Sequence, residues 1–269
     1  MQVRRVLALG AALFAVLTRP STAQSGYDTG GLETGRIAVR HVTFIDTTGE
    51  EIGTATLMQT SNGVLVQADL NMLPPGEHAF HFHETGAADT TTLDSARGYE
   101  TGVTPSGAGA GGTGTRATAD VTFINTDGRQ VGTGTLTQTD RGVLITVNLS
   151  GLPAGQHAFH VHQTGRCDAP SFESAGGHYA PMKRQHGFLA SGGPHAGDMT
   201  NVQVVGSTVS VQEFNPFVTL SGGEAPLLDQ DGSALVIHAK ADDYSTQPSG
   251  DAGARIACAV VQRAPGHSQ

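Results

Sequence analysis

The sequence predicts an all-β protein, an antiparallel sandwich or Greek-key β-barrel, and three observations carry that prediction. The 269 residues include 37 glycines and no tryptophan, with many Thr and Val residues of the kind that favour strands. Short segments of alternating apolar and polar residues recur between hairpin-type turns. Beyond the first 23 residues, no segment carries a convincing helical period. A chain of this length accommodates one large domain, or one standard domain with a partial second unit.

The first element is a leader. Arg4 and Arg5 precede an apolar run at residues 6–17, and Ser21-Thr22-Ala23 offers small residues at a cleavage point. Residues 1–23 therefore read as a signal peptide for export, to the periplasm or the exterior. A single membrane anchor is the other reading, although the run is short for a span and is followed by Thr18-Arg19-Pro20. The formal charge is −9, and loss of the three leader arginines makes it more negative. That balance gives no reason to expect nucleic acid or an anionic membrane as partner. The two cysteines, Cys167 and Cys258, lie far apart. In an exported protein they suggest one disulfide closing a long loop, against the alternative of two buried free thiols.

An internal repeat follows. Residues 42–86 align without gaps on residues 121–165 at a constant offset of 79, with 26 of 45 positions identical. In the second copy, residues 119–124 read as a strand, Asp127-Gly128 as a turn and residues 132–138 as the returning strand. Residues 143–149 alternate as a third strand, and a Leu-Pro-Ala-Gly loop at 152–155 leads into a strand over residues 157–162. Further strand signals lie at 202–213, 235–238 and 254–262, after a loop-rich stretch at 163–201. The predicted organisation is a partial repeat at 36–105, a flexible Gly/Ala/Ser/Thr linker at 106–115 and a complete domain at 116–263. The first copy amounts to half a barrel and leaves strand edges unpaired. It is expected to pack on the second copy, to pair between chains or to be partly disordered.

Twelve histidines in so weakly charged a chain point to chemistry. His160 and His162 sit at strand spacing, where residues two apart share a face and two imidazoles reach one ion. They are followed in order by His178, His186, His195, Asp198 and His238. Imidazole suits copper and zinc alike, and a carboxylate added to three histidines suits tetrahedral zinc. Any one of these histidines alone reads as a surface or hydrogen-bonded side chain; the ordered set does not.

At this point the sequence resembles the copper/zinc superoxide dismutases of bacterial type. The resemblance rests on Gly155-Gln156-His157-Ala158-Phe159-His160-Val161-His162, Ser174-Ala175-Gly176-Gly177-His178-Tyr179-Ala180-Pro181 and His186-Gly187. It continues through His195-Ala196-Gly197-Asp198, Val236-Ile237-His238, Ala241-Asp242-Asp243-Tyr244 and the Gly250-to-Cys258 segment, covering residues 116–263. It implies the immunoglobulin-like fold of that family, with long metal-binding loops. It further implies copper on His160, His162, His178 and His238, zinc on His178, His186, His195 and Asp198, and His178 shared between the ions. Cys167 and Cys258 match the family disulfide. Asp242 matches an aspartate that hydrogen-bonds one histidine of each metal, and His157 a structural histidine outside the ligand set.

The implied activity is dismutation of superoxide by alternating Cu(II) and Cu(I), with His178 leaving copper and taking a proton on reduction. Arg255 matches the arginine that guides the anion; a surface arginine near a strand end is the plainer reading. Lys240, Lys183 and Arg184 read first as ordinary solvated charges, with an addition to the attracting field as the other reading. The loop at 242–254 is short and lacks a lysine. In the first copy, His78, His81 and His83 remain, but Tyr99 replaces the shared histidine and Ala88 a cysteine. That copy reads as a structural add-on, as an auxiliary copper or zinc site at His81 and His83, or as a relic. The rival functions are copper or zinc binding or delivery without turnover, and an interaction protein in which the repeat mediates assembly. The assembly state, a homodimer included, is open.

Overall fold

The computed structural model describes residues 14–16, 39–46, 48–71, 73, 78, 80, 82 and 116–261. The expected linker at 106–115, most of the leader, and Ala88, Tyr99, His81 and His83 lie outside the described residues. The chain divides into two units, residues 1–111 and 112–269.

In the first unit, β1 (Phe14–Val16), β2 (Val39–Ile45), β3 (Glu51–Thr60) and β4 (Gly63–Leu70) form one antiparallel sheet in that order. In the second, β5 (Thr118–Asn125), β6 (Gln130–Thr139) and β7 (Gly142–Ser150) open the domain. They are followed by β8 (Gly155–His157), β9 (Phe159–His162), a 3-10 turn at Glu173–Ala175, β10 (Val202–Val204) and β11 (Thr208–Asn215). The last two strands are β12 (Ser233–His238) and β13 (Arg255–Val261).

The sequence repeat is also a backbone repeat. Val42 pairs with Ala55 as Val121 pairs with Gly134, and both hairpins slip register after a phenylalanine, Phe44 and Phe123. Asp46 Oδ1 accepts the N–H groups of Thr48 and Glu50, as Asn125 Oδ1 accepts those of Asp127 and Arg129. Each side chain thus imitates a backbone turn. A Cβ on Gly132 would lie 2.1 Å from the Asn148 carbonyl oxygen, and one on Gly53 2.2 Å from that of Asp69. Only glycine permits that strand approach.

The two copies differ in what covers them. Phe80 and Phe82 are 45% and 71% exposed, whereas their counterparts Phe159 and Val161 are fully buried. Among the described residues β4 has no partner on its outer edge, whereas β7 pairs along its length with β11.

The main sheet of the second unit runs β11-β7-β6-β5-β13-β12-β9. β5 and β13 are joined by only two residue pairs, Ala257 with Asn125 and Cys258 with Ile124, and the sheet curls at that seam. Its two halves face each other across one core. Phe123, Leu136, Ile145 and Val147 come from one side, and Phe159, Val161, Leu235, Ile237 and Ala259 from the other. β9 follows β7 in the chain yet lies at the far edge of the sheet, which is the long crossover of a Greek key.

Two expected strands are divided. Residues 157–162 break at Ala158, so that β8 pairs with β10 in a separate two-stranded sheet while β9 joins the main one. Residues 202–213 turn at Gly206, whose φ of 64° lies in the left-handed region. Both breaks fall where the apolar alternation changes phase, at Ala158-Phe159 and at Val204-Val205, a signal weaker than the turn residues that mark the hairpins. No helix among the described residues is long and apolar enough to cross a membrane.

β9 positions the histidines. Phe159 and Val161 point into the core, so His160 and His162 occupy the opposite face, in register with Val236 and Ala234 of β12. Residues 163–201 cover that face. They add a small second core of Phe172 and Ala175 against Ala234, Val236 and Cys258. The Cys167–Cys258 disulfide, with Cα atoms 5.7 Å apart, fastens this loop to β13.

Candidate metal centre

Residues from four segments converge above β9. His160 and His162 come from the strand itself, His178, His186, His195 and Asp198 from the covering loop, His238 from the end of β12 and Asp242 from the loop before β13. Two four-membered donor sets result, each with its donor atoms within 4.8 Å of one another: His160, His162, His178 and His238, and His178, His186, His195 and Asp198. His178 belongs to both.

The outer hydrogen bonds determine which ring nitrogens face inward. His162 Nδ1 donates to the Gly176 carbonyl at 3.0 Å and His238 Nδ1 to the Gly253 carbonyl at 3.2 Å. A carbonyl only accepts, so both Nε2 atoms carry lone pairs in the neutral rings. Those two lone pairs face each other at 3.2 Å. His160 Nε2 donates to Asp242 Oδ2 at 2.8 Å, leaving His160 Nδ1 buried without a partner. His178 Nε2 is likewise buried and unpartnered. Four imidazole lone pairs thus surround one point with no proton to satisfy them.

The second set is built around a carboxylate. Asp198 Oδ2 accepts the backbone N–H groups of Gly187 and His195, which fixes its plane. Its Oδ1 lies 3.1, 3.0 and 3.3 Å from the Nδ1 atoms of His178, His186 and His195. His186 Nε2 donates to Asp242 Oδ1 at 3.0 Å, so the neutral ring presents a bare Nδ1 to an oxygen that also only accepts. A cation reconciles these facing lone pairs. Four imidazoles fit copper, and three imidazoles with one carboxylate fit zinc.

The electrostatics agree. Burial, followed by the field of neighbouring rings and of Arg255, holds His162 well below the usual histidine range and lowers His238 to about 3. Burial lowers His178 to about 4 although Asp198 opposes the shift. These rings are therefore neutral at neutral pH, as ligation requires. Burial would lower His186 too, but hydrogen bonds to Asp198 and Asp242 prevail and raise it to about 9. Without metal, a proton bound there occupies the cation's place. Burial would raise Asp198 and Asp242, yet their histidine partners hold both well below the usual carboxylate range.

Arg255 stands opposite His238 in the β12–β13 register. Its guanidinium donates through Nη1 to the Phe172 carbonyl and through Nη2 to that of Gly176. The Gly176 oxygen therefore receives both His162 and Arg255. Arg255 is half-buried and its charge reaches His162 and His238.

Every residue in the two expected ligand sets is present in one of the clusters, and Asp242 spans them. His157 stands apart, its ring nitrogens 2.7 Å from the His238 carbonyl oxygen and 2.9 Å from that of Pro153. Lys240 is exposed and paired with Asp251, and Lys183 and Arg184 are exposed. The sequence reading did not single out Gly176, Phe172, Asn201 or Gln247. Their contacts are made by backbone carbonyls or by neutral amides across long separations, which no local motif signals.

Residues 130–261 match the family described as copper/zinc superoxide dismutase (SODC). Superoxide dismutase (Cu-Zn) 1 of Aquifex aeolicus is 49% identical over 143 residues, covering 52% of this chain and 85% of that protein. Superoxide dismutase (Cu-Zn) of Caulobacter vibrioides is 41% identical over 140 residues, 51% of this chain and 80% of that protein. The crystal structure of a superoxide dismutase-like protein from Bacillus subtilis superimposes with a TM-score of 0.52 at 39% identity. The match covers 53% of this chain and 97% of that one.

Proposed function

Because the chain belongs to the copper/zinc superoxide dismutase family, we propose that it is an exported enzyme that converts two superoxide anions and two protons into dioxygen and hydrogen peroxide. One observation carries the reading: His178 places Nδ1 in a zinc-type donor set and leaves Nε2 orphaned in a copper-type one. The leader sequence and the disulfide support export.

His160 Nδ1 and the Nε2 atoms of His162, His178 and His238 would hold copper. The Nδ1 atoms of His178, His186 and His195, with Asp198 Oδ1, would hold zinc. Copper, when bound, supplies the one-electron couple that links the two half-reactions. One superoxide gives up an electron and leaves as dioxygen; the second gains an electron and two protons and leaves as hydrogen peroxide. His178 Nε2 takes a proton in the first half and returns it in the second, while solvent supplies the other. Asp198 and Asp242 fix the rings, so that this proton moves at one defined atom.

The substrate is an anion and the chain is net negative, so attraction must be local. Arg255 supplies it. Two backbone carbonyls hold its fixed charge beside His238, where a guanidinium orients a small anion.

Superoxide consumption by the full chain loaded with copper and zinc tests the proposal, with His178→Ala alongside. Turnover is expected in the wild type and near-complete loss in the variant. A wild type with full metal content and negligible turnover would instead be a copper or zinc binding or delivery protein.

A further inference from the structure

Gln247 has an exposed side chain on the loop between β12 and β13, where a glutamine ordinarily does nothing but face water. Here its amide reads both backbone polar groups of a buried zinc-side residue 61 positions away. Oε1 accepts the His186 N–H at 2.9 Å, and Nε2 donates to the His186 carbonyl at 2.8 Å and to the Ser245 carbonyl at 3.0 Å. A reciprocal clamp runs the other way. Asn201, in the covering loop, accepts the Asp242 N–H through Oδ1 at 2.8 Å and donates through Nδ2 to the Asp242 carbonyl at 2.9 Å.

Between the two clamps lies the hydrogen bond from His186 to Asp242, and Asp242 also holds His160. The same two stretches meet twice more. Leu189 N–H donates to the Tyr244 carbonyl at 3.0 Å, and the Asn201 N–H donates to the Tyr244 hydroxyl oxygen at 2.8 Å. They approach so closely that a Cβ on Gly187 would fall 2.0 Å from the Tyr244 carbonyl oxygen.

We propose that Gln247 and Asn201 are positioning residues. They latch residues 242–250 onto the stretch bearing His186 and Asp198, so that zinc binding and the seating of Asp242 against His160 are linked. The proposal rests on the metal assignment above but not on turnover. A side chain that orients a ligand typically governs metal affinity by ten- to a hundredfold, and linkage makes the loop order reciprocal with the metal.

The test uses the full chain without copper. Zinc affinity is measured by competition with a chelator, and amide hydrogen exchange of residues 243–251 is followed with and without zinc. In the wild type zinc is expected to protect these amides. Gln247→Ala and Asn201→Ala should each weaken zinc binding about tenfold or more and remove most of that protection. Gln247→Glu keeps the acceptor for the His186 N–H and should fall between. Because Gln247 is an exposed residue, its removal leaves no core cavity, and the metal-free unfolding midpoint should fall by no more than a few degrees.

Unchanged zinc affinity and loop protection in Gln247→Ala would overturn the proposal. So would a weaker affinity that merely tracks a comparable fall in the metal-free midpoint. A wild type that binds no zinc would overturn the metal assignment as well. Absence of dismutase activity alone would leave both readouts intact, so the two failures are distinguishable.

Discussion

Replacing both cysteines, Cys167→Ala with Cys258→Ala, removes a cross-link between residues 91 positions apart. The loop-closure entropy that the link withholds from the unfolded chain amounts to about 4.6 kcal/mol at 25 °C for a loop of that length. For a domain of this size each kcal/mol shifts the midpoint by roughly 2–4 °C, so the variant should melt about 10–18 °C lower. The measurement is guanidinium unfolding of the metal-free chain, because bound metal would add its own stabilisation and mask the difference. A loss below about 1 kcal/mol would refute the reasoning, since it would mean that the unfolded chain gains no freedom from the missing link. A functional consequence follows from position. The disulfide fastens to β13 the loop whose Phe172 and Gly176 carbonyls hold Arg255. Well below its midpoint the variant should therefore remain folded yet consume superoxide with a lower kcat/KM.

Arg255→Ala should lower kcat/KM by about tenfold or more and flatten its dependence on ionic strength, because the variant lacks the fixed local charge that salt screens; stopped-flow rates across a salt series check this. Asp242→Asn should weaken retention of both metals by ten- to a hundredfold, read as copper and zinc content after dialysis, because the amide cannot accept from both His160 and His186. In the metal-free chain, stability should peak near pH 6.5. Below that, the unfolded chain binds protons that buried His178 and His238 refuse until about pH 4 and 3. Above it, His186, raised to about 9, loses the proton that pairs it with Asp198 and Asp242. Unfolding midpoints across pH 4–9 read this curve, and a monotonic one would contradict the assignment.

The hairpins of both units were legible because alternation and Asn/Asp-Gly turns are local signals, whereas the register shifts after Phe44 and Phe123 were not. The breaks at Ala158 and Gly206 were less legible than the hairpins, since they show only as a change in the phase of the alternation, Ala158 beside Phe159 and Val204 beside Val205, with no Asn/Asp-Gly turn to mark them. His160 and His162 could be placed on one face from their spacing. Which ion each later histidine serves came only through the resemblance to a family, because the loop at 163–201 has no period to read. The amides of Asn201 and Gln247 had no signal of any kind. Their partners are backbone groups brought near by the tertiary fold, and only coordinates reveal them.

The account turns on His178 being common to both donor sets. Electron paramagnetic resonance of the chain loaded with one Cu(II) and one Co(II), the latter in place of zinc, tests that directly. The prediction is a copper signal strongly diminished by coupling through the shared imidazole, and restored in His178→Ala. An undiminished copper signal in the fully loaded wild type would contradict the shared centre.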